Sequence, residues 1–339
     1  KEKIENFHFI NLESENYQIN VEKNETKFIK ANLNNSEIII KLKDSSSKIV
    51  FYDSLINNSL ISTNIKKKKN FANLSIESRY DERLLTGCIT FIDTSLKNSQ
   101  ILVNNCENED SVNFVRSEGF GNNMYIKNAK FDGVDMDFSR LYFDKVKVEN
   151  SGNDCVDVSG GVYNIDLLIG SQCDDKGLSV GEKSIIAINN INISHSKAGF
   201  ALKDSSNLHI SKGHFHDNNI CGEIYQKKQE FGLSKLFIDP NIDCKIENYN
   251  SSILDNLNIC KFVNRNFFFS TCINKNGKVF FYIKNIFPKN SILKIKYFSK
   301  YMTDEQSINI EDVSNNICKD KFVGCIISSN LSNNLIQDN

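Results

Sequence analysis

The chain has 339 residues, long enough for one large core or two to three modules, with 41 basic and 42 acidic side chains and a formal charge of −1. That balance excludes the strongly basic footprint of a nucleic-acid-binding or membrane-surface protein. No run of about 18 apolar residues occurs, so no membrane span is expected.

The start, Lys1-Glu2-Lys3, carries neither Met nor a signal-peptide pattern, so a trimmed or processed chain is expected and the compartment is not read from it. There are 10 cysteines, none in a Cys-x-x-Cys pair, and 5 histidines, so no metal site is assigned. Cys155, Cys173 and Cys221 read as small packed residues; Cys318 and Cys325 are candidates for pairing if the protein is exported.

Residues 1–75 read as a β-rich cap or as first, irregular coils. Glu37–Leu42 and Lys48–Tyr52 are strand candidates separated by the turn cluster Asp44-Ser45-Ser46-Ser47. Lys66–Lys69 reads as a solvated loop. Cys88–Ile92 and Ile101–Val103 read as strands of early coils.

Between Ser111 and Phe231 a short alternating pattern returns about every 20–23 residues, the period of a solenoid. Aligned on their final small residue, three copies are Val112–Ser117, Val134–Ser139 and Asp154–Ser159. Lys176–Gly181, Ala198–Lys203 and, more loosely, Cys221–Gln226 follow. Phe114, Met136, Phe138, Val156, Val158, Leu178, Val180, Phe200 and Leu202 then share an inward face. Further short strands, such as Met124–Ile126, Leu141–Phe143 and Val146–Val148, complete three per turn. This predicts an all-β chain: a right-handed parallel β-helix over 76–240, flanked by small β modules at 1–75 and 241–339. In the last region Val279–Ile283 and Leu293–Phe298 read as hairpin strands, with Asn276-Gly277 as a turn.

Coils lie about 4.8 Å apart, so matching positions form rows. On this alignment one row reads Val115, Asp137, Asp157, Ser179, Ala201. A second reads Asn113, Asp135, Cys155, Gly177, Gly199, and a third Ser117, Ser139, Ser159, Gly181, Lys203, Gln226. Carboxylates thus face Lys183 and Lys203 over ground kept low by Gly160, Gly161, Gly177, Gly181 and Gly199. Aspartate is a poor strand former, which points to a use for Asp157 beyond structure. Asp154 and Asp175 fit turn capping as well as function. Lys183 and Lys203 fit solvated ion pairs equally well. His214-Phe215-His216 places two imidazoles on one side of a strand.

The segments Gly152–Gly160, Asp175–Ser184, Lys203–Ser206 and Tyr225–Lys228 resemble right-handed parallel β-helix proteins of the pectate-lyase-like superfamily, over about residues 80–240. That superfamily includes polysaccharide lyases, uronan C5-epimerases and glycoside hydrolases. The Tyr-Gly-Phe-Asp-Pro-His signature of alginate epimerases is absent. The resemblance implies C5 proton abstraction from a uronate polysaccharide, with an enolate-like intermediate that needs a neutralising cation, a base and an acid. Asp137, Asp157, Lys183, Lys203 and Tyr225 are the catalytic candidates. Lysines 183 and 203 are candidates for neutraliser and base, and Tyr225 or His195 for acid. Asp135, Arg116, Lys176, Gln226 and Lys228 are the substrate-binding candidates. Ca²⁺ is a candidate ion for Asp135, Asp137 and Asp157. An extracellular or cell-envelope location is favoured. Hydrolysis by Asp137 and Asp157 is a competing reading. A non-catalytic carbohydrate-binding or adhesive solenoid is another.

Overall fold

A computed structural model describes residues 8–44, 46–65, 85–239 and 241–248. Beyond these it describes the backbone of strands Ile253–Leu254, Lys261–Asn264, Phe268–Ile273, Lys278–Lys284, Ile292–Phe298, Thr303–Asn309 and Cys325–Asn330. The chain divides into two compact units, residues 1–254 and 255–339.

The first unit is an all-parallel β-solenoid of about ten turns. Its described residues contain no helix, and none is long and apolar enough to cross a membrane. Three limbs make each coil. The first limb stacks Asp110–Val115, Asp132–Asp137, Val156–Ser159, Lys176–Gly181, Ala198–Lys203 and Ile220–Tyr225 into one sheet. The other two limbs are carried in many coils by one long bent strand, as in Arg140–Ser151 and Val162–Cys173. Residues 8–65, which the sequence allowed to be either a cap or coils, pair in parallel with the coils that follow. In the second unit Phe268–Ile273 and Lys278–Lys284 pair antiparallel, as do Ile292–Phe298 and Thr303–Asn309. The Lys66–Lys69 run, the Asn276-Gly277 turn and a Cys318–Cys325 pairing lie outside the described residues.

Alternation builds the core. Inward residues stack coil on coil, and Phe51, Phe91 and Phe114 form a fully buried column with ring centroids 5.2 and 4.9 Å apart. Cys88–Cys106, Cys155–Cys173 and Cys221–Cys244 are disulfides, so Cys155, Cys173 and Cys221 are cross-linked as well as packed.

A hydroxyl ladder runs inside the corner after the first limb. Ser54, Thr94, Ser117, Ser139, Ser184, Ser206 and Ser234 are buried there. A backbone N–H in one coil donates to the hydroxyl of the next, as from Ser117 N to Ser139 Oγ (3.0 Å) and Ser184 N to Ser206 Oγ (3.2 Å). The coil between Ser139 and Ser184 has Gly161 at this position, and the Tyr163 hydroxyl takes over. It accepts from Ser139 N (3.3 Å) and donates to Met136 O (2.7 Å) or Ser159 O (3.0 Å). A Cβ at Gly161 would lie 2.2 Å from that oxygen, so the glycine makes room for the tyrosine.

This substitution corrects the alignment. Val112, Val134, Val156 and Leu178 are level, a strict step of 22 residues, so Ser139 is level with Gly161 and not with Ser159. Phe138, expected inside, is 61 % exposed at the corner with φ of 48°. Met124–Ile126 lies level with Val146–Val148 on the third limb.

Candidate functional site

The strict step redraws the outer face of the first sheet. One row is Asn113, Asp135, Asp157, Ser179, Ala201, Glu223. A second runs Val115, Asp137, Ser159 and Gly181, then Lys203 and Tyr225. A third, three residues upstream of the first, runs Asp110 and Asp132, then Asp154, Lys176 and Ala198. Asp157 is therefore level with Asp135, and Asp137 with Ser159. The expected Asp137–Asp157 row does not form.

Six carboxyls thus occupy three successive coils of one sheet. They cannot all ionise cheaply, because burial strips their hydration and each repels the next. Asn113 Nδ2 donates to Asp135 Oδ2 (3.2 Å) and Asp137 Oδ2 (3.3 Å). Burial pushes Asp110 and Asp135 well above the usual carboxylate range and raises Asp137. Burial and the Asp154 charge raise Asp132 to about 7, although its Oδ1 accepts from Asn153 Nδ2 and Asp154 N, both at 2.7 Å. Burial and Asp157 raise Asp154 to about 6 against the pull of Lys176 and Lys203. Asp157 Oδ1 is buried without a hydrogen-bond partner.

The cations follow in the next two coils. Lys176 Nζ lies 3.6 Å from Asp154 Oδ1 and is paired with Asp175. Burial opposes its charge, but the two carboxylates outweigh it and raise its pKa. Lys203, 6 % exposed, donates to Ser179 Oγ at 2.7 Å. Its stem passes 3.6 Å from where a Cβ of Gly181 would be. Tyr225 stands beside Lys203, and burial pushes its hydroxyl up to about 12.

Among the sequence-derived candidates, the fold gathers Asp135, Asp137, Asp157, Lys176, Lys203 and Tyr225 on this face. It does not bring the other five into it. Arg116 sits in the corner, clasped by Asp93 at 2.8 and 2.9 Å. Lys183, also in the corner, lies over the Phe231 ring, 5.6 Å from its centroid. Gln226 falls one residue past the strand and donates to the Lys228, Gln229 and Phe231 carbonyls. Lys228 pairs with Glu182. His195 occupies another corner, 3.8 Å from Asp217. Gly161, Gly177 and Gly199 point inward, toward Tyr163, Ile193 and Phe215, and do not floor the face.

Asp110, Asp132 and Asp154 were missed as a row, although their strict spacing of 22 was available. Among the described residues no group of three or more Asp, Glu, His or Cys side chains is arranged to hold a metal ion. Asp135 and Asp137 both accept from Asn113, and Asp157 lies level with Asp135 one coil on. Fold and face together define a parallel β-helix with a mixed-charge outer sheet. Comparison with protein-family models, curated proteins and solved structures returned no match.

Proposed function

We propose that this chain is a carbohydrate-active enzyme of the pectate-lyase-like superfamily. It acts on a uronate-containing polysaccharide by C5 proton abstraction, as an epimerase or a lyase. One observation carries the reading: along one sheet, buried carboxyls that resist ionisation give way in successive coils to Lys176, then Lys203, then Tyr225. Lys176 and Lys203 neutralise the substrate carboxylate as negative charge builds on it. Lys176 is held protonated, which suits a neutraliser and not a base. The base is then a carboxylate. Asp157 is the choice, since Ser179, the acceptor of the Lys203 ammonium, lies one coil above it. Tyr225, protonated below about pH 12, returns a proton to the leaving oxygen or to C5. The three disulfides support an extracellular or cell-envelope location.

Hydrolysis is a second reading, favoured by the burial that raises Asp135, as a general acid requires. Its pair would be Asp135 and Asp157. They are level in adjacent coils, and a coil step of about 4.8 Å is close to the ~5–5.5 Å of a retaining pair.

The test is incubation with a panel of uronate polysaccharides in D₂O. Ultraviolet absorbance of an unsaturated uronate marks a lyase, and deuterium at C5 without absorbance marks an epimerase. New reducing ends with neither signal replace the proposal with hydrolysis. Silence across the panel overturns it in favour of a binding solenoid. In an active preparation, Asp157→Asn and Lys203→Met each lower turnover by about 10²–10⁴-fold.

A further inference from the structure

A cleft of about 630 Å³ lies on the third limb of the early coils, on a different sheet from the carboxyl rows. Its floor is a single row in which Ile39, Ser62, Leu102 and Tyr125 stand level in successive coils. Four strands at coil spacing make that floor about 14 Å long. Ile39 is 39 % exposed, and the other three are half-buried. Ile39, Leu102 and Tyr125 leave apolar surface open along the sheet, interrupted by Ser62, and that calls for an explanation.

The neighbouring row supplies the polar wall, with Lys41 in one coil and Asn104 level with Lys127 in later ones. Lys127 is shared with Glu149 at 3.7 Å, and Lys43 at the rim is paired with Glu22. Lys41 is exposed and has no carboxylate at ion-pair distance among the described residues. The strip is one residue wide and bordered by amides and cations. It is too narrow for the broad apolar face of an amphipathic helix. A lone open cation, with Glu22 and Glu149 near, is too little for a phosphate backbone. The flat apolar face of a pyranose, lying on Leu102 beside the edge of Tyr125, matches the width; the Tyr125 ring itself carries Lys147, 5.2 Å from its centroid, and its hydroxyl donates to Glu149. The sugar hydroxyls then meet Asn104, and a carboxylate meets Lys41.

We propose that this cleft is a second, non-catalytic binding site for an acidic oligosaccharide. Its volume falls in the range of small-ligand sites. The site stands apart from the face proposed for chemistry, and either can fail without the other.

The experiment uses the full chain carrying Asp157→Asn, so that any turnover is halted. Binding of a fluorescently labelled oligogalacturonate is followed by anisotropy beside a neutral cello-oligosaccharide of equal length. The charged probe is expected to bind at least tenfold tighter than the neutral one and to weaken with added salt. Ile39→Glu and Lys41→Glu, both at exposed positions, are each expected to weaken it tenfold or more. Lys176→Ala on the same background reports the other face. Absence of binding, equal binding of the neutral probe, or a loss confined to Lys176→Ala overturns the cleft. The last outcome leaves the proposed function standing.

Discussion

Tyr163→Ile tests the hydroxyl ladder that aligns the coils. Tyr163 stands level with Leu141 below and Ile186 above, and each of those lies two residues after a ladder serine, Ser139 and Ser184. Removing the phenol leaves the buried Ser139 N–H without its acceptor, whereas Ser159 O keeps the bond from Phe138 N at 2.8 Å. One unsatisfied buried amide costs about 1–3 kcal/mol. The volume lost from a 1 % exposed ring adds a cavity cost of about 1–2 kcal/mol. The expected loss is about 3–4 kcal/mol. Tyr163→Phe keeps the ring and removes only the hydroxyl, so it isolates the amide; a serine at Gly161 is no substitute, since its Cβ would still lie 2.3 Å from the Ser139 backbone oxygen. Tyr163→Phe should account for about 1–3 kcal/mol of that loss. Urea denaturation, with amide exchange at Ser139 as a local probe, measures both. If Tyr163→Ile costs under about 0.5 kcal/mol, or Tyr163→Phe costs nothing, the ladder does not operate as described.

The carboxyl rows set a pH dependence. Asp132 is raised to about 7 and Asp154 to about 6, so ionising them opposes folding. Their stability is full below about pH 4 and is lost as pH rises toward 7, on the order of 2 kcal/mol for Asp132 once its two hydrogen bonds are set against its burial. Denaturation midpoints at pH 5 and pH 8 should show that fall, and Asp132→Asn should flatten it. Gly119→Ala should cost more than about 3 kcal/mol by thermal unfolding, because the residue has φ of 124° and its Cβ would lie 1.9 Å from Leu96 O. Cys155→Ser with Cys173→Ser opens a link of sequence separation 18 and should cost about 2–4 kcal/mol by urea denaturation, less than reductant costs the wild type by opening Cys88–Cys106 and Cys221–Cys244 as well.

Much of this protein was legible in the amino-acid order. Alternation and a recurring period determined an all-β solenoid, and the polar face of that alternation determined that Asp135, Asp137, Asp157 and Lys203 lie outside it, whereas the structure alone put Tyr225, and not Gln226, level with Lys203. What alternation cannot determine is a slip of two residues, since strand side chains repeat with a period of two and such a slip leaves every face unchanged. That slip was made at Ser159, which matches Ser139 in sequence but not in place. The ladder serine of that coil is missing, and its work is done by a tyrosine reaching in from the next limb. A contact between limbs leaves no local trace in sequence. Which carboxyl lies beside which was therefore decided by the tertiary structure alone. So was the corner at which Arg116, Lys183 and Lys228 turn away from the sheet to partners of their own.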